Sequence, residues 1–146
     1  MIIRDVRPED RDDYIGMTMD FYHNTNACDH GIPEEHVQRT FDQALEGSPY
    51  MRALILEEDE RPVGYFLLAI TWSNEAGGLV VWLEELYFRA SCRGKGYGRQ
   101  AMQWVEQEYP QARRYRLEAT PANEDAMRLY RRLGYQNLDY LQMIKE

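Results

Sequence analysis

The sequence predicts an α/β (α+β) fold in which helices flank one mixed, mostly antiparallel sheet. Two observations lead to this fold class. The chain has 146 residues, of which 44% are hydrophobic and 29% charged, so it can bury one core but is short for two domains. Hydrophobic residues follow the periods of strands and helices in the order β-α-α-β-β-β-α-β-α-β. Residues 1–146 are therefore expected to form a single domain.

The first part of the chain predicts one strand and two helices. Met1 to Val6 begins with apolar residues and alternates in polarity, as a short strand does. Pro8 opens a helix with an acidic first turn, and its apolar spacing is lost at His23, where a loop rich in Asn, Asp and Gly begins. Pro33 begins the second helix, which ends at the turn-forming run Gly47 to Pro49.

Three strands are predicted in the middle of the chain. Met51 to Glu57 and Val63 to Trp72 are separated by a charged turn, which predicts a hairpin. Leu79 to Arg89 is apolar on both faces except at Glu84 and Glu85, a pattern typical of an interior strand.

The last third of the chain predicts two helices and two further strands. A glycine-rich loop, Arg93 to Gly98, leads into the first helix. Asn123 is a good N-cap for the second helix, and Gly134 can end it. The two strands are Arg114 to Ala119 and Leu138 to Ile144.

Composition excludes several classes of partner. The chain has 17 basic and 25 acidic residues, a net charge of −8, which argues against nucleic-acid binding because phosphate neutralisation needs excess Lys and Arg. The net negative charge suits a cationic small substrate, although solubility explains it equally well.

The longest apolar runs, Tyr65 to Ile70 and Leu79 to Leu83, are far shorter than the roughly 18 residues of a membrane helix. Charges at the N-terminus and two cysteines without a disulfide framework favour the cytoplasm.

The loop Arg93-Gly94-Lys95-Gly96-Tyr97-Gly98-Arg99 lies between a buried strand and a helix. Its glycines let the backbone approach a ligand, and the N-terminus of the following helix attracts anions. Residues 89 to 99 contain four basic residues and no acidic one, so this segment is positively charged although the whole chain has a net charge of −8. The pattern favours a phosphate site, and the alternative is a solvated basic turn.

Glu84 and Glu85 are adjacent carboxylates in a strand expected to be covered on both faces. Adjacent strand residues point to opposite faces, so the two acids have different surroundings. Partial burial raises a carboxyl pKa toward the range that suits a general base. The alternative is that one of them lies at a strand end or on an exposed face.

Tyr130 lies on the apolar stripe of the last helix. A tyrosine in such a stripe is most often part of the core, but its hydroxyl can also act as a general acid. A further polar cluster has no recognised zinc spacing, so we expect no metal. Its members are His23, Cys28, Asp29, His30 and His36.

Two motifs together resemble those of the GNAT N-acetyltransferase superfamily. The first is Arg93-Gly94-Lys95-Gly96-Tyr97-Gly98. The second, about 30 residues further on, is Asn123-Glu-Asp-Ala126-Met-Arg-Leu129-Tyr130-Arg-Arg-Leu-Gly134-Tyr135. The resemblance implies acetyl-CoA as the co-substrate, and the order of elements is similar over nearly the whole chain.

The resemblance also implies roles for individual residues. Backbone N–H groups from Arg93 to Arg99 would bind the pyrophosphate of CoA. The segment Leu86-Tyr87-Phe88 would bind the pantetheine arm as an added strand, and the N–H near Leu86 would polarise the thioester carbonyl. Asn123 would contact the cofactor arm, and Tyr130 would protonate the departing thiolate.

The stretch Leu83-Glu84-Glu85-Leu86-Tyr87-Phe88 is similar to one in spermidine/spermine (diamine) acetyltransferases. There the first acid is the base, which points to Glu84, while a β-bulge would leave Glu85 as the alternative. The acceptor wall is expected in the segment Tyr14 to His36. Its candidate acceptor-binding residues are Tyr22, His23 and Glu34.

The sequence therefore predicts an enzyme that transfers an acetyl group directly to a primary amine in a ternary complex. A polyamine or another cationic small molecule is the candidate acceptor. Two alternatives stay open: a catalytically silent acetyl-CoA sensor, and a protein acetylase acting on a lysine or an N-terminus. A homodimer is compatible with the sequence.

Overall fold

A computed structural model describes residues 1–146 and contains one five-stranded sheet and four α-helices. The strands, adjacent in chain order, are β1 Ile2–Asp5, β2 Met51–Glu58, β3 Arg61–Ser73, β4 Gly78–Phe88 and β5 Arg114–Leu117. The helices are α1 Arg11–Asn24, α2 Glu34–Leu45, α3 Tyr97–Glu108 and α4 Glu124–Arg132. Neighbouring strands are antiparallel except for the parallel pair β4 and β5. The predicted fold class is confirmed.

Two apolar clusters cover the two faces of the sheet. One joins the sheet to α1 and α2 and includes the fully buried Tyr14, Phe41 and Tyr65. The other packs α3 against the opposite face and includes Phe66 and Met102. Both faces of β3 and β4 are therefore buried, as the apolar run of the central strand predicts.

A β-bulge interrupts the central strand at Glu84. Glu85 pairs with Leu67 of β3 and Leu83 pairs with Leu68, so Glu84 is an extra residue without a partner. Leu83 and Leu86 therefore both belong to the α3 side of the sheet. The bulge places the two adjacent acids in different environments.

Strands β4 and β5 separate soon after they meet. Their parallel pairing extends only from Val80 to Leu83 on one strand and from Arg114 to Leu117 on the other. The second half of β4 therefore has an open edge on the β5 side. This wedge-shaped gap positions the site described below.

The predicted last strand, Leu138 to Ile144, is wrong. The segment 136–146 is not a strand, and its only backbone hydrogen bond joins the Tyr140 N–H to the Leu138 carbonyl, at 3.0 Å. β5 has only four residues with which to pair, and a cleft of about 640 Å³ lies between it and this segment. Leu141 and Ile144 are consequently almost fully exposed. None of the helices combines the length and apolar character needed to cross a bilayer.

A buried ion pair joins Arg4 of β1 to Asp10, the residue before α1. Asp10 is 5% exposed and receives both terminal nitrogens of Arg4, at 2.7 and 2.9 Å, and the Arg7 N–H at 2.6 Å. Burial by itself would raise the pKa of Asp10, but the hydrogen bonds from Arg4 and Arg7 outweigh it and lower the pKa.

Asp10→Asn is expected to lower the free energy of unfolding by about 1–3 kcal/mol at neutral pH, because Arg4 loses one of its two carboxylate partners and keeps the other, Glu57. A carboxyl with a lowered folded-state pKa stabilises the fold above its unfolded pKa, near 4, and this contribution is lost as the pH falls further. Urea unfolding at neutral and acidic pH measures both effects. The exposed Asp12→Asn is the control, and equal losses for the two variants would contradict the expectation.

Candidate active site

A cleft of about 420 Å³ opens where β4 and β5 separate. Residues from α1, the following loop, β4, α3, the loop after β5, α4 and the C-terminal segment line it. A hydrogen bond of 2.5 Å from Thr120 Oγ1 to the Asn26 carbonyl joins the loop after β5 to the loop after α1. The polar lining side chains are Tyr22, Cys28, Asp29, His30, Glu84, Glu118, Thr120, Asn123, Tyr130 and Gln142.

The bulge directs Glu84 into this cleft. Its carboxylate has no hydrogen-bond or ion-pair partner in the protein and is exposed at the mouth. The protein atoms around it nevertheless raise its pKa by desolvation, and the negative charges of Glu118 and Glu85 raise it further. A partner-free carboxyl with a raised pKa has the properties of a general base.

Glu85 lies on the opposite face of the sheet, against α1. It is 9% exposed and accepts hydrogen bonds from the hydroxyls of Tyr22, at 2.5 Å, and Tyr65, at 2.7 Å. Burial raises its pKa and outweighs the opposing effect of these two bonds. Of the two acids, only Glu84 lines the cleft.

Tyr130 reaches the cleft from α4. Its hydroxyl has no hydrogen-bond partner, and its ring centroid lies 6.0 Å from that of Tyr135. Burial raises the pKa of Tyr130, so the hydroxyl keeps its proton at neutral pH. The helix ends at Arg132, and Gly134, just beyond it, has a φ of 90°, in the left-handed region that favours glycine. Asn123 stands at the N-cap, but its side chain makes no capping hydrogen bond.

The open edge of β4 presents backbone groups of Leu86 and Phe88. The Arg89 N–H donates a hydrogen bond to the Val63 carbonyl of β3. Because successive residues of a strand direct their backbone groups alternately to its two sides, the N–H and C=O groups of Leu86 and Phe88 point toward the β5 side. Arg93 Nε donates to the Phe88 carbonyl at 3.0 Å. The side chain of Tyr87 lies on the face of the sheet that packs against α1, where its hydroxyl donates a hydrogen bond to Asp20.

The glycine-rich loop presents backbone donors at the start of α3. Gly94 and Gly96 have φ of 77° and 80°, a conformation that glycine adopts without strain. The N–H groups of residues 94–99 have no acceptor in the protein. Together with the N-terminus of α3 they form a set of donors suited to an anion such as a diphosphate.

The basic side chains near this loop are partly engaged elsewhere. Lys95 lies 3.8 Å from Glu58, which also accepts the hydroxyl of Tyr97, and Arg89 pairs with Asp13 at 2.5 Å. The exposed Arg99 has no ion-pair partner. The fit of the loop to a phosphate group therefore depends on its backbone more than on its charge.

The predicted acceptor-binding residues lie in different places. Tyr22 lines the cleft. His23 does not line it, and its ring nitrogen lies 3.3 Å from the Ile32 carbonyl. Glu34 begins α2, is exposed, and also lies outside the cleft.

Glu118 is a residue of the cleft that the sequence patterns did not single out. It follows the last residue of β5 and faces the same cavity as Glu84 and Asp29, and no Lys or Arg lines that cavity. Its position just after a strand parallel to β4 could have indicated a role in the site, because residues at the carboxyl ends of neighbouring parallel strands lie close together. No group of three or more His, Cys, Asp or Glu side chains is arranged to hold a metal ion.

Comparison with known families identifies the class. The model of the acetyltransferase (GNAT) family matches residues 17–135, and the chain belongs to this family. It is an N-acetyltransferase, with acetyl-CoA as its co-substrate. The unpartnered N–H groups of the loop and the open edge of β4 fit a diphosphate and an extended pantetheine arm. A comparison with curated proteins finds no match.

Solved structures share the fold. Integron cassette protein HFX_CASS3, from the mobile metagenome of Cole Harbour Salt Marsh, is 25% identical over 99% of this chain and 89% of its own, with a TM-score of 0.78. AAC(6')-Iy, in complex with the bisubstrate analog CoA-S-monomethyl-acetylneamine, is 16% identical over 99% and 97%, with a TM-score of 0.79. Ribosomal-protein-alanine N-acetyltransferase from Brucella melitensis biovar Abortus is 16% identical over 99% and 98%, with a TM-score of 0.78. None of these three is described as a diamine acetyltransferase.

Proposed function

We propose that the protein acetylates a primary amine on a small cationic molecule. One observation carries the proposal: a single cleft contains a partner-free carboxylate, a protonated phenol and two further acids, with no basic Lys or Arg. These residues are Glu84, Tyr130, Asp29 and Glu118.

Glu84 is the general base in this proposal. An amine reaches the cleft as an ammonium ion, and Glu84 removes one proton, directly or through a water, so that the nitrogen lone pair can attack the thioester carbonyl. The N–H of Leu86, at the open edge of β4, donates to the carbonyl oxygen as negative charge develops there.

Tyr130 is the general acid. As the new C–N bond forms and the C–S bond breaks, its hydroxyl gives a proton to the sulfur. The proton lost by the nitrogen of the product amide restores the phenol. Holding amine and thioester together supplies much of the rate, up to about 7–11 kcal/mol of the barrier.

The size of the cleft favours a small acceptor over a protein. The cavity of about 420 Å³ lies within the usual range for small ligands. The hydrogen bond from Thr120 to the Asn26 carbonyl holds the two loops beside the cleft together, whereas a protein acceptor would need a broad open groove.

The acids of the cleft predict a preference for cationic amines. An exposed carboxylate near an ammonium group contributes about 0.2–1 kcal/mol. Glu118→Gln is therefore expected to reduce the ratio of kcat/KM for spermidine to that for a zwitterionic amino acid about two- to fivefold. Thiol release over a panel of spermidine, aminoglycosides, amino acids and peptides measures this ratio, with the exposed Glu9→Gln as control.

Equal turnover of cationic, neutral and anionic amines would overturn the electrostatic part of the proposal. Tight binding of acetyl-CoA without thiol release for any amine would favour the catalytically silent sensor instead.

A further inference from the structure

A second cavity lies behind the catalytic cleft, between α1, α2 and the sheet. This α1–α2 pocket has a volume of about 190 Å³ and contains the carboxylate of Glu85, with Thr40 and the exposed His36 among its lining residues. Tyr22 lines both cavities, and Glu84 and Glu85 are consecutive residues. The two cavities are therefore neighbours on either side of one tyrosine.

Glu85 is a buried acid without a basic partner. Its two oxygens accept only the neutral hydroxyls of Tyr22 and Tyr65, and it takes part in no ion pair. By contrast, the equally buried Asp10 is paired with Arg4 at 2.7 Å. Burial without a basic partner disfavours the ionised form of Glu85 and raises its pKa, whereas a cation in the pocket would stabilise that form, so the pocket favours a cation.

Tyr14 gives a second, independent indication of a ligand. Its side chain is fully buried and lines the same pocket, and its hydroxyl is the only buried side-chain polar atom without a hydrogen-bond partner. Buried polar groups almost always have a partner, so a hydroxyl left without one in a cavity indicates a missing partner.

A primary ammonium group satisfies both requirements. It carries a positive charge and three N–H donors, while the Glu85 carboxylate has lone pairs to spare and the Tyr14 oxygen can accept. The volume of about 190 Å³ is large enough for an ammonium group on a short alkyl chain.

We propose that the α1–α2 pocket binds the second, non-reacting ammonium group of a diamine acceptor. This inference rests on the proposed function and narrows its acceptor class. One amine is acetylated beside Glu84, and the other is held by Glu85 and Tyr14.

Kinetics with butylamine and diaminobutane test the proposal, because the two amines differ only in the second ammonium group. We expect kcat/KM for diaminobutane, or for a longer member of a short series of linear diamines, to exceed that for butylamine about 10- to 100-fold. Glu85→Gln is expected to reduce this ratio at least about tenfold, and Tyr14→Phe several-fold. The exposed Tyr50→Phe is the matched control and leaves the ratio unchanged.

The Tyr14→Phe variant also separates a ligand from a purely structural role. Removing an orphaned buried hydroxyl does not lower thermal stability, so a reduced diamine preference in a fully folded variant supports the pocket. A ratio that neither Glu85→Gln nor Tyr14→Phe changes overturns the proposal. Crystals soaked in diaminobutane that show only water beside Glu85 and Tyr14 also overturn it.

Failure of the inference can be told apart from failure of the proposed function. If both amines are acetylated with equal efficiency, the pocket proposal fails and the acetyltransferase proposal stands. If neither is acetylated but calorimetry shows binding of diaminobutane that Glu85→Gln abolishes, the proposed function fails and the pocket stands.

Discussion

Tyr130→Phe is expected to lower kcat by about 10²- to 10⁴-fold, with little change in affinity for acetyl-CoA. The substitution removes one hydroxyl that has no hydrogen-bond partner in the protein, so it removes a proton donor without breaking a structural contact. Steady-state kinetics at saturating amine, with calorimetric titration of acetyl-CoA, measures the two effects separately.

Tyr135→Phe is the matched control for this prediction. Its ring lies 6.0 Å from that of Tyr130, but it lines the cleft beside β5 and not the catalytic cleft. We expect its kcat to stay within about twofold of the unaltered enzyme. An unaltered kcat for Tyr130→Phe at saturating substrate would remove the acid role from this residue.

Glu84→Gln is expected to lower kcat/KM about 10²- to 10⁴-fold at neutral pH and to flatten its rise with increasing pH. The base works only when ionised, and desolvation together with the charges of Glu118 and Glu85 raises its pKa. Activity therefore falls as the pH drops through this raised value. Loss of the pH-dependent rise in Glu85→Gln alone would show that Glu85 is the base.

Glu118→Gln gives an independent test of the same assignment. It removes a negative charge that raises the pKa of Glu84, so the acidic limb of the pH profile is expected to shift to lower pH. Glu84→Gln should also keep or gain thermal stability, because the folded protein disfavours the charged carboxylate. A loss of stability would indicate that the low activity reflects misfolding.

The sequence predicts the elements from β1 to α4 because their signals are local. Strand alternation and helix stops such as Gly134 depend on residues close together in the chain. The last strand, Leu138 to Ile144, fails because strand formation needs a partner edge, and β5 has only four residues. Apolar alternation alone carries no information about that edge.

The candidate site is predictable where a residue's role follows from its own segment. The loop Arg93 to Arg99 and the helix carrying Tyr130 have such local patterns. The bulge at Glu84 depends on register with β3, and Glu118 enters the cleft only because two strands separate. The orphaned hydroxyl of Tyr14 depends on packing across three elements, which no local pattern encodes.

A crystal structure with a CoA–amine bisubstrate analogue would show whether the glycine-rich loop, Glu84 and Tyr130 act on one bound substrate pair. We expect the diphosphate within hydrogen-bond distance of the N–H groups of residues 94–99, and the sulfur beside the Tyr130 hydroxyl. We also expect the amine nitrogen to face Glu84 in the same cleft. A diphosphate bound away from this loop, or a Tyr130 hydroxyl turned away from the sulfur, would contradict it.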